Sequence, residues 1–202
     1  MKIESDVEEA IKGMKLPFEL VPLQKKDALD AARSGRFGLF YAVGGGKTVV
    51  STVVSKLWED DHTLVVCPPI LLPQWEEWLH TCQELDTSIF AGPKRTTDML
   101  NHRWVIMSHA IFRDSFITIL QQFKGKSVNV LLDEAQSIKN PKSKLYKCIL
   151  QFVAPDRSLL MLTATPTSKP QDTYTYMKLK TPTVYRSMGH WTNIHVDKVD
   201  IF

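Results

Sequence analysis

The stretch Ala42–Thr48, with the sequence AVGGGKT, decides how this chain folds. A short apolar run from Arg36 leads into it, and a helical pattern from Lys47 to Trp58 follows it. The spacing predicts a buried strand, a tight glycine loop and a helix. Three consecutive glycines let a backbone turn sharply and direct its N–H groups at phosphate oxygens, and the start of the helix adds positive potential there.

The side chains of this loop suit a triphosphate with a magnesium ion. Lys47 would neutralise the β- and γ-phosphates, and the Thr48 hydroxyl would ligate Mg²⁺. The strict phosphate-loop pattern has glycine where this chain has Tyr41, so a flexible turn with an incidental lysine is the alternative. Upstream, the Gln24 amide could read a purine edge or simply start a helix. The predicted nucleotide-binding residues are Gln24, Val43, Gly44, Gly45, Gly46, Lys47 and Thr48.

A second segment, Leu131–Gln136 (LLDEAQ), places two carboxylates at the end of an apolar run. Asp133 is positioned to hold Mg²⁺ directly or through water, and Glu134 could orient or deprotonate an attacking water. The alternative is a helix start with acidic residues in its first turn. With the glycine loop, the pair predicts an ATP-hydrolysing site with Lys47, Asp133 and Glu134 as catalytic residues and Thr48 and Asp133 as magnesium ligands.

Short apolar runs alternate with helical patterns along the chain, which predicts an α/β fold with a parallel sheet covered by helices on both faces. Ligands in such sheets lie beyond the carboxyl ends of the strands. The segment after Pro182 has no clear periodicity and is expected to be partly extended. Residues 1–17 are expected to form a lead-in, with Val7, Ala10, Ile11 and Met14 at helical spacing. The predicted strands are 36–43, 63–67, 87–90, 104–107, 128–132 and 158–162, and the predicted helices are 24–33, 47–58, 71–80, 110–123 and 143–152.

The composition is that of an ordinary globular protein. The 202 residues are 44% hydrophobic and 23% charged, and no apolar run approaches the ~18 residues of a membrane span. The acidic start lacks the apolar stretch of a secretion signal. Three widely spaced cysteines fit neither a disulfide framework nor a zinc site. We therefore expect a reducing compartment, cytoplasmic or nuclear, or the host cytoplasm for a viral protein, with no secretion and no membrane partner.

Basic residues dominate the last third of the chain, although the net charge is only +3. After Gln136, ten lysines and arginines stand against four aspartates. Such asymmetry fits a surface for a polyanion, and an ordinary solvated face fits equally well. Two further pairs of residues have simple structural interpretations. Thr163 and Thr165 can be turn hydroxyls, and Trp75 and Trp78, at helical spacing, can be core residues.

Taken in order, these motifs resemble the first RecA-like lobe of superfamily 2 helicases and translocases, nearest the Snf2-like branch. The likeness covers residues 18–182. In that family too, the first loop position is usually not glycine, which accounts for Tyr41. The matching segments are the glutamine motif (Leu20–Gln24), motif I (Ala42–Thr48), motif Ia (Val65–Trp75), motif Ib (Met107–His109), the extended DEAQ motif II (Asp133–Asn140) and motif III (Leu162–Thr167).

The resemblance implies a RecA-like three-layer fold and roles that the residues alone do not fix. Motif III is expected to couple the ATP state to the nucleic-acid track through Thr163 and Thr165. Nucleic-acid contacts carry over to Pro69, Gln74, Ser108 and His109, and the basic stretch after motif II fits phosphate contacts. The lysines of that stretch are Lys139, Lys142 and Lys144.

The family likeness also implies what else the protein needs. We expect an ATP-dependent translocase or helicase acting on duplex or branched DNA, with residues 18–182 as the ATP-binding lobe and 183–202 as a tail towards a missing second RecA-like lobe, in cis or in trans. That lobe would bring arginines to the ATP site, so the isolated lobe should be weakly active or inactive. The alternatives are the motor lobe of a restriction or repair complex, and a module that binds DNA or protein without hydrolysis.

Overall fold

A computed structural model describes residues 8–9, 11–12, 16–17, 19–154, 156–167 and 169–195. Within them, six parallel strands form one sheet in the order β1-β6-β5-β2-β4-β3. The helix expected around Val7, Ala10 and Met14 falls on residues outside this description, while 8–9 and 11–12 are helical. The strands are β1 (Arg36–Leu39), β2 (His62–Cys67), β3 (Thr87–Ile89), β4 (Trp104–Ser108), β5 (Val128–Asp133) and β6 (Leu159–Leu162).

Helices connect these strands on both faces of the sheet, as the sequence predicted. Short 3₁₀ segments cover Pro69–Leu71, Thr97–Asn101, Ala135–Ile138 and Pro170–Asp172. The α-helices are α1 (Pro22–Ser34), α2 (Lys47–Leu57), α3 (Leu72–Thr81), α4 (His109–Asp114), α5 (Phe116–Gln122), α6 (Lys144–Val153), α7 (Thr173–Lys180) and α8 (Met188–His195).

Alternate residues of each strand enter two different cores. Leu64 and Val66 of β2 pack with the side of the sheet that faces α4, α5, α6 and α7. Val65 and Cys67 pack against α1, α2 and α3 on the other side. The side chains of a strand point alternately to opposite faces, so a strand that is apolar throughout must be covered twice. The chain is therefore a three-layer α/β fold with the sheet in the middle.

One helix prediction needs correction, and one helix was not predicted. The helix expected over Ala110–Phe123 is broken at Ser115, where α4 ends and α5 begins. The segment after Pro182, expected to be partly extended, also contains α8, which packs with α7 through a small cluster of Tyr174, Tyr185 and Trp191. Helix α8 has too few apolar residues to show a clear helical period, so the sequence pattern did not predict it. The predicted boundary at 182 remains a prediction.

The sheet order puts one strand between the two decisive segments. β6 pairs with β1 on one side and with β5 on the other, and Leu162 of β6 lies in register with both Leu39 and Asp133. Neighbouring strands lie about 4.8 Å apart, so the glycine loop and the two acids emerge about 10 Å from each other at one edge. Thr163 follows β6 and emerges between them. Among the described residues, no helix has both the length and the apolar character required to cross a bilayer.

Candidate functional site

The glycine loop connects β1 to α2 in the conformation that its sequence requires. Gly44 and Gly46 have φ values of 77° and 83°, a region that other residues rarely adopt. A Cβ on Gly46 would lie 2.5 Å from Nε2 of Gln24, and one on Gly45 would lie 2.8 Å from Cβ of Tyr41. The loop is thus folded tightly between the end of β1 and helix α1, with no room for a side chain at Gly45 or Gly46.

Lys47 lies over the loop. Its Nζ donates to the carbonyl oxygens of Tyr41 at 3.0 Å and Ala42 at 3.1 Å, so the ammonium group lies against the loop at the start of α2. Thr48, the next residue, lines the same cleft. A cation, a helix start and a glycine-rich backbone together fit an anionic ligand such as a phosphate chain.

Helix α1 holds this loop through two side chains one turn apart. Gln24 Oε1 accepts from the backbone N–H of Val21 and its Nε2 donates to the Gly45 carbonyl, both at 3.0 Å. Asp27 Oδ2 accepts a hydrogen bond of 2.5 Å from the Tyr41 hydroxyl. Burial and the nearby carboxylate of Asp27 raise the pKa of Tyr41, so its hydroxyl stays protonated and remains the donor. Purine recognition by Gln24 stays a prediction.

Asp133 ends β5 and is 7% exposed. Its Oδ2 accepts from the indole Nε1 of Trp75 at 3.0 Å, and its Oδ1 accepts from the backbone N–H of Glu134 at 2.9 Å. Burial raises the pKa of the Asp133 carboxyl, and the hydrogen bonds from Trp75 and Glu134 oppose that rise. The sequence suggested only a core role for Trp75. Its contact with Asp133 spans 58 positions, and sequence spacing carries no signal for such a contact.

Glu134 adopts a left-handed backbone conformation with φ 50° and ψ 52°. This conformation costs roughly 1–2 kcal/mol in a residue with a Cβ, and such strain is common at functional sites. Its Oε2 accepts a hydrogen bond of 2.6 Å from Nε2 of Gln136. The carboxylate of Glu134 is therefore held by a residue of its own motif, while the side chain of Asp133 turns towards α3.

Gln136 continues this connection to the segment after β6. Its Oε1 accepts from the Thr163 hydroxyl at 2.6 Å, and the same Thr163 oxygen accepts from the backbone N–H of Thr165 at 3.0 Å. Glu134, Gln136, Thr163 and Thr165 thus form one hydrogen-bonded chain. The sequence analysis assigns no separate role to Gln136, although its place within DEAQ was the available signal.

Four of the predicted ATP-site residues, Lys47, Thr48, Asp133 and Glu134, line one cleft of about 420 Å³, whereas Gln24, Val43 and the three loop glycines are not part of its lining. The loop after β1 supplies a cation and a hydroxyl, and the end of β5 supplies two carboxylates, a donor set that suits a phosphate chain with a hard cation. No group of three or more histidine, cysteine or acidic side chains forms a metal cage within the described part of the chain. The cleft is lined by Lys47, Thr48, Leu71, Gln74, Trp75, Glu77, Trp78, Thr81, Asp133 and Glu134.

The residues expected to contact nucleic acid are more dispersed. Pro69 and Gln74 are exposed, and Gln74 lines the ATP-site cleft. The buried Ser108 hydroxyl accepts from the backbone N–H of Ile111 at 3.2 Å and so caps α4. His109 donates from Nε2 to the Asp133 carbonyl at 2.8 Å, and burial lowers its pKa.

The two lysines after the acidic motif have different environments. Nζ of Lys139 lies 3.7 Å from Oδ2 of Asp172, and its side chain is largely buried. Lys142 is exposed. The expected nucleic-acid roles of these lysines, and of Pro69, Gln74 and Ser108, stay predictions, as does that of His109.

Residues 13–199 match the model of the SNF2-related domain. The chain belongs to that family. The SNF2-related domain here forms a RecA-like α/β lobe, as the sequence motifs implied. It superposes on the SWI2/SNF2 ATPase core of Sulfolobus solfataricus in complex with double-stranded DNA, with a TM-score of 0.70 and 23% identity over 89% of this chain and 39% of that one. The same core without DNA gives 0.71 with 23% identity, over 89% and 38%.

Two curated relatives are similar in sequence. The SWI/SNF-related matrix-associated actin-dependent regulator of chromatin subfamily A-like protein 1 of Bos taurus is 26% identical over 179 residues, which are 85% of this chain and 18% of that protein. The DNA repair protein RAD5B of Arabidopsis thaliana is 29% identical over 129 residues, 57% of this chain and 10% of that protein. The chain therefore spans less than a fifth of the length of either relative.

Proposed function

We propose that this SNF2-related domain is the ATP-binding lobe of an ATP-dependent DNA translocase or helicase that moves on duplex or branched DNA. The observation that carries the proposal is the meeting of Lys47, Thr48, Asp133 and Glu134 at one cleft, across a strand that delivers Thr163 between them. The names of the similar proteins, an ATPase core with double-stranded DNA and a DNA repair protein, point to the same class.

The residues divide the proposed work between them. The loop Ala42–Thr48 binds the phosphates, with Lys47 placed to neutralise their charge. Thr48 and Asp133 would hold Mg²⁺, which would supply charge neutralisation between the phosphate oxygens. Glu134 is the base that takes a proton from the attacking water. The Trp75 indole fixes Asp133 in one orientation, so the metal-binding oxygen is preorganised.

A second RecA-like lobe, in cis or in trans, belongs to this proposal. Arginines supplied across the cleft accelerate related phosphoryl transfers by about 10³- to 10⁵-fold. The 202-residue chain alone should therefore bind nucleotide weakly and turn it over slowly. Robust DNA-stimulated turnover by this chain alone would remove the need for the second lobe. A lack of turnover in the protein with both lobes would favour a binding module instead.

The test is ATP turnover of the full-length protein with and without duplex DNA. Lys47→Ala should lower DNA-stimulated turnover by about a hundredfold or more. Glu134→Gln should abolish turnover while a nucleotide titration still gives wild-type affinity, because the residue acts on water rather than on the phosphates. Wild-type turnover by Lys47→Ala would refute the proposed function. Equal loss of nucleotide binding in Glu134→Gln would refute the role of Glu134 as the base.

A further inference from the structure

A second polar cavity lies at the carboxyl edge of the sheet, beyond the edge strand β3. The backbone N–H of Phe90 extends the ladder by donating to the Ile106 carbonyl of β4 at 2.8 Å, and the chain then turns through Gly92, which has a φ of 75°. The cavity of about 280 Å³ opens between this loop and the start of α5. It is lined by Phe90, Pro93, Arg95, Thr96, Thr97, Ser115 and Thr118.

The loop holds Arg95 in place at this cavity. Its Nη1 donates to the Gly92 carbonyl at 2.7 Å, and its Nη2 lies 3.5 Å from Oγ of Ser115. The guanidinium also lies 5.7 Å from the centre of the Phe90 ring. A guanidinium has five N–H donors, so these contacts orient the group and leave donors for a ligand. Such a fork suits the oxygens of a phosphate.

Among the residues that the structure describes, the lining of this cavity has no carboxylate and has four hydroxyl groups. Each hydroxyl can donate one hydrogen bond, so with Arg95 the cavity presents a cluster of donors around one cation. Asp98, in the 3₁₀ segment that follows the loop, is exposed but does not line the cavity. The chemistry of the cavity selects an anion with several acceptor oxygens. The hydroxyls belong to Thr96, Thr97, Ser115 and Thr118.

Further cations lie beside this cavity. Asp114, at the end of α4, accepts from Nε and Nη2 of Arg113 at 2.8 Å and 3.0 Å, so its charge is already paired. These hydrogen bonds lower the pKa of Asp114, and the charges of Lys144 and Arg95 act in the same direction. Arg95, Arg113 and Lys144 therefore all act on the charge of Asp114, which Arg113 already pairs.

We propose that this cavity is a subsite for a backbone phosphate of the duplex DNA track, with Arg95 as its central contact. The proposal rests on the proposed function, since a DNA track is part of it. β3 neighbours β4, so the cavity lies beside the strand end that carries Ser108 and His109. A duplex lying along this edge would pass from the β4 end to the loop after β3.

The test is fluorescence anisotropy of a short labelled DNA duplex with the full-length protein, measured at several salt concentrations. Arg95→Gln should weaken binding about 5- to 10-fold and lower the slope of log affinity against log salt by about 1, because one phosphate contact is lost. Arg95→Lys keeps the charge and should keep the slope. Thr118→Val should weaken binding about 2-fold with an unchanged slope, because it removes only a neutral donor.

Arg33→Gln is the matched control, since Arg33 is an exposed cation at the end of α1, on the other face of the sheet. It should bind as the wild type does. Equal binding by Arg95→Gln and wild type refutes the subsite and leaves the proposed function standing. A full-length wild-type protein that binds no duplex refutes the DNA track and the subsite together. Tighter competition by an RNA duplex of the same sequence overturns the assignment to DNA.

Discussion

The indole of Trp75 donates a 3.0 Å hydrogen bond to Oδ2 of Asp133, and so links the first turns of α3 to the carboxyl end of β5. Both side chains are buried, at 2% and 7% exposure. A buried carboxylate needs its hydrogen-bond donors, because losing one leaves part of its desolvation penalty uncompensated. Asp133 is therefore a candidate metal ligand, and its burial lowers the stability of the fold unless these hydrogen bonds are kept.

Asp133→Asn should change how stability depends on pH. The native pKa of Asp133 is raised above its ordinary value of 3.8, so its contribution to stability is present below that value and is lost as pH rises through the raised native pKa. Asparagine does not titrate. The free energy of unfolding of the variant, minus that of wild type, should therefore increase between pH 4 and pH 7 in urea titrations.

The informative quantity is the sign of the change in this free-energy difference with pH. The asparagine amide faces two N–H donors, and the resulting loss of stability is the same at every pH. Asp30→Asn is the control. The pKa of Asp30 is lowered by its hydrogen bond from Lys26, so its stabilisation is present above the ordinary value and lost in acid. That variant should show a small slope of opposite sign. A pH-independent difference for Asp133→Asn would contradict the raised pKa.

Trp75→Phe should destabilise the chain because it keeps an aromatic ring and removes the donor to Asp133. We expect a loss of about 1–3 kcal/mol in the free energy of unfolding at pH 7, and less in acid, where the carboxyl is protonated. Trp78→Phe is the comparison, since Nε1 of Trp78 donates to the neutral Thr52 hydroxyl at 3.1 Å. Its loss should not vary with pH. Identical pH profiles for the two variants would count against the Trp75 assignment.

Asp27 and Tyr41 should be energetically coupled. A double-mutant cycle of Tyr41→Phe and Asp27→Ala in urea unfolding should give a coupling of about 1–2 kcal/mol, because the charge-assisted bond between them is partly buried. Asp30→Ala on the same helix, paired with Tyr41→Phe, should be additive, since Asp30 bonds to the exposed Lys26. Additive losses for Asp27 and Tyr41 would mean that α1 does not hold the loop through this bond.

Strand ends were predictable here because their signals are local. Apolar runs stop at glycine, proline or acidic residues, so β1, β2 and β5 could be placed from the sequence, and the helices between them follow. The start of α1 shows the limit of such signals. The predicted helix starts at Gln24, yet α1 starts two residues earlier at Pro22, in the first turn, where a missing N–H costs nothing.

The contacts that complete the site could not be predicted in the same way. The bonds from Trp75 to Asp133 and from Thr163 to Gln136 join residues 58 and 27 positions apart, and only the strand order brings them together. The break at Ser115 and helix α8 depend on tertiary packing rather than on propensity. The family motifs supplied the candidate residues, and the geometry supplied their partners.

Thr163→Val should separate nucleotide binding from DNA stimulation in the full-length protein. Valine has nearly the same shape but cannot donate to Gln136, so the link from Glu134 to the segment after β6 is lost. We expect wild-type nucleotide affinity with about a tenfold fall in DNA-stimulated ATP turnover, the size of a moderate coupling between sites. Thr165→Val is the control, because Thr165 enters the chain of bonds through its backbone N–H. Equal effects from both variants would contradict this coupling route.

Gly46→Ala should destabilise the phosphate loop more than Gly44→Ala. Both glycines have positive φ values, so each alanine should cost roughly 1–2 kcal/mol of backbone strain. Only the Cβ at Gly46 meets another group, Nε2 of Gln24 at 2.5 Å, whereas a Cβ at Gly44 meets nothing within 4 Å. Gln24 would have to leave the Gly45 carbonyl, which adds about 1 kcal/mol.

The Gln24→Ala variant separates backbone strain from the cost of displacing the Gln24 amide. Without the amide, the two alanine substitutions should lower the free energy of unfolding equally, as measured by urea titration, because only the strain at positive φ remains. In the wild-type background, Gly46→Ala should also weaken nucleotide binding more than Gly44→Ala, since it moves the Gly45 peptide. If the excess cost at Gly46 persists without Gln24, the tight approach of α1 to the loop is not its cause.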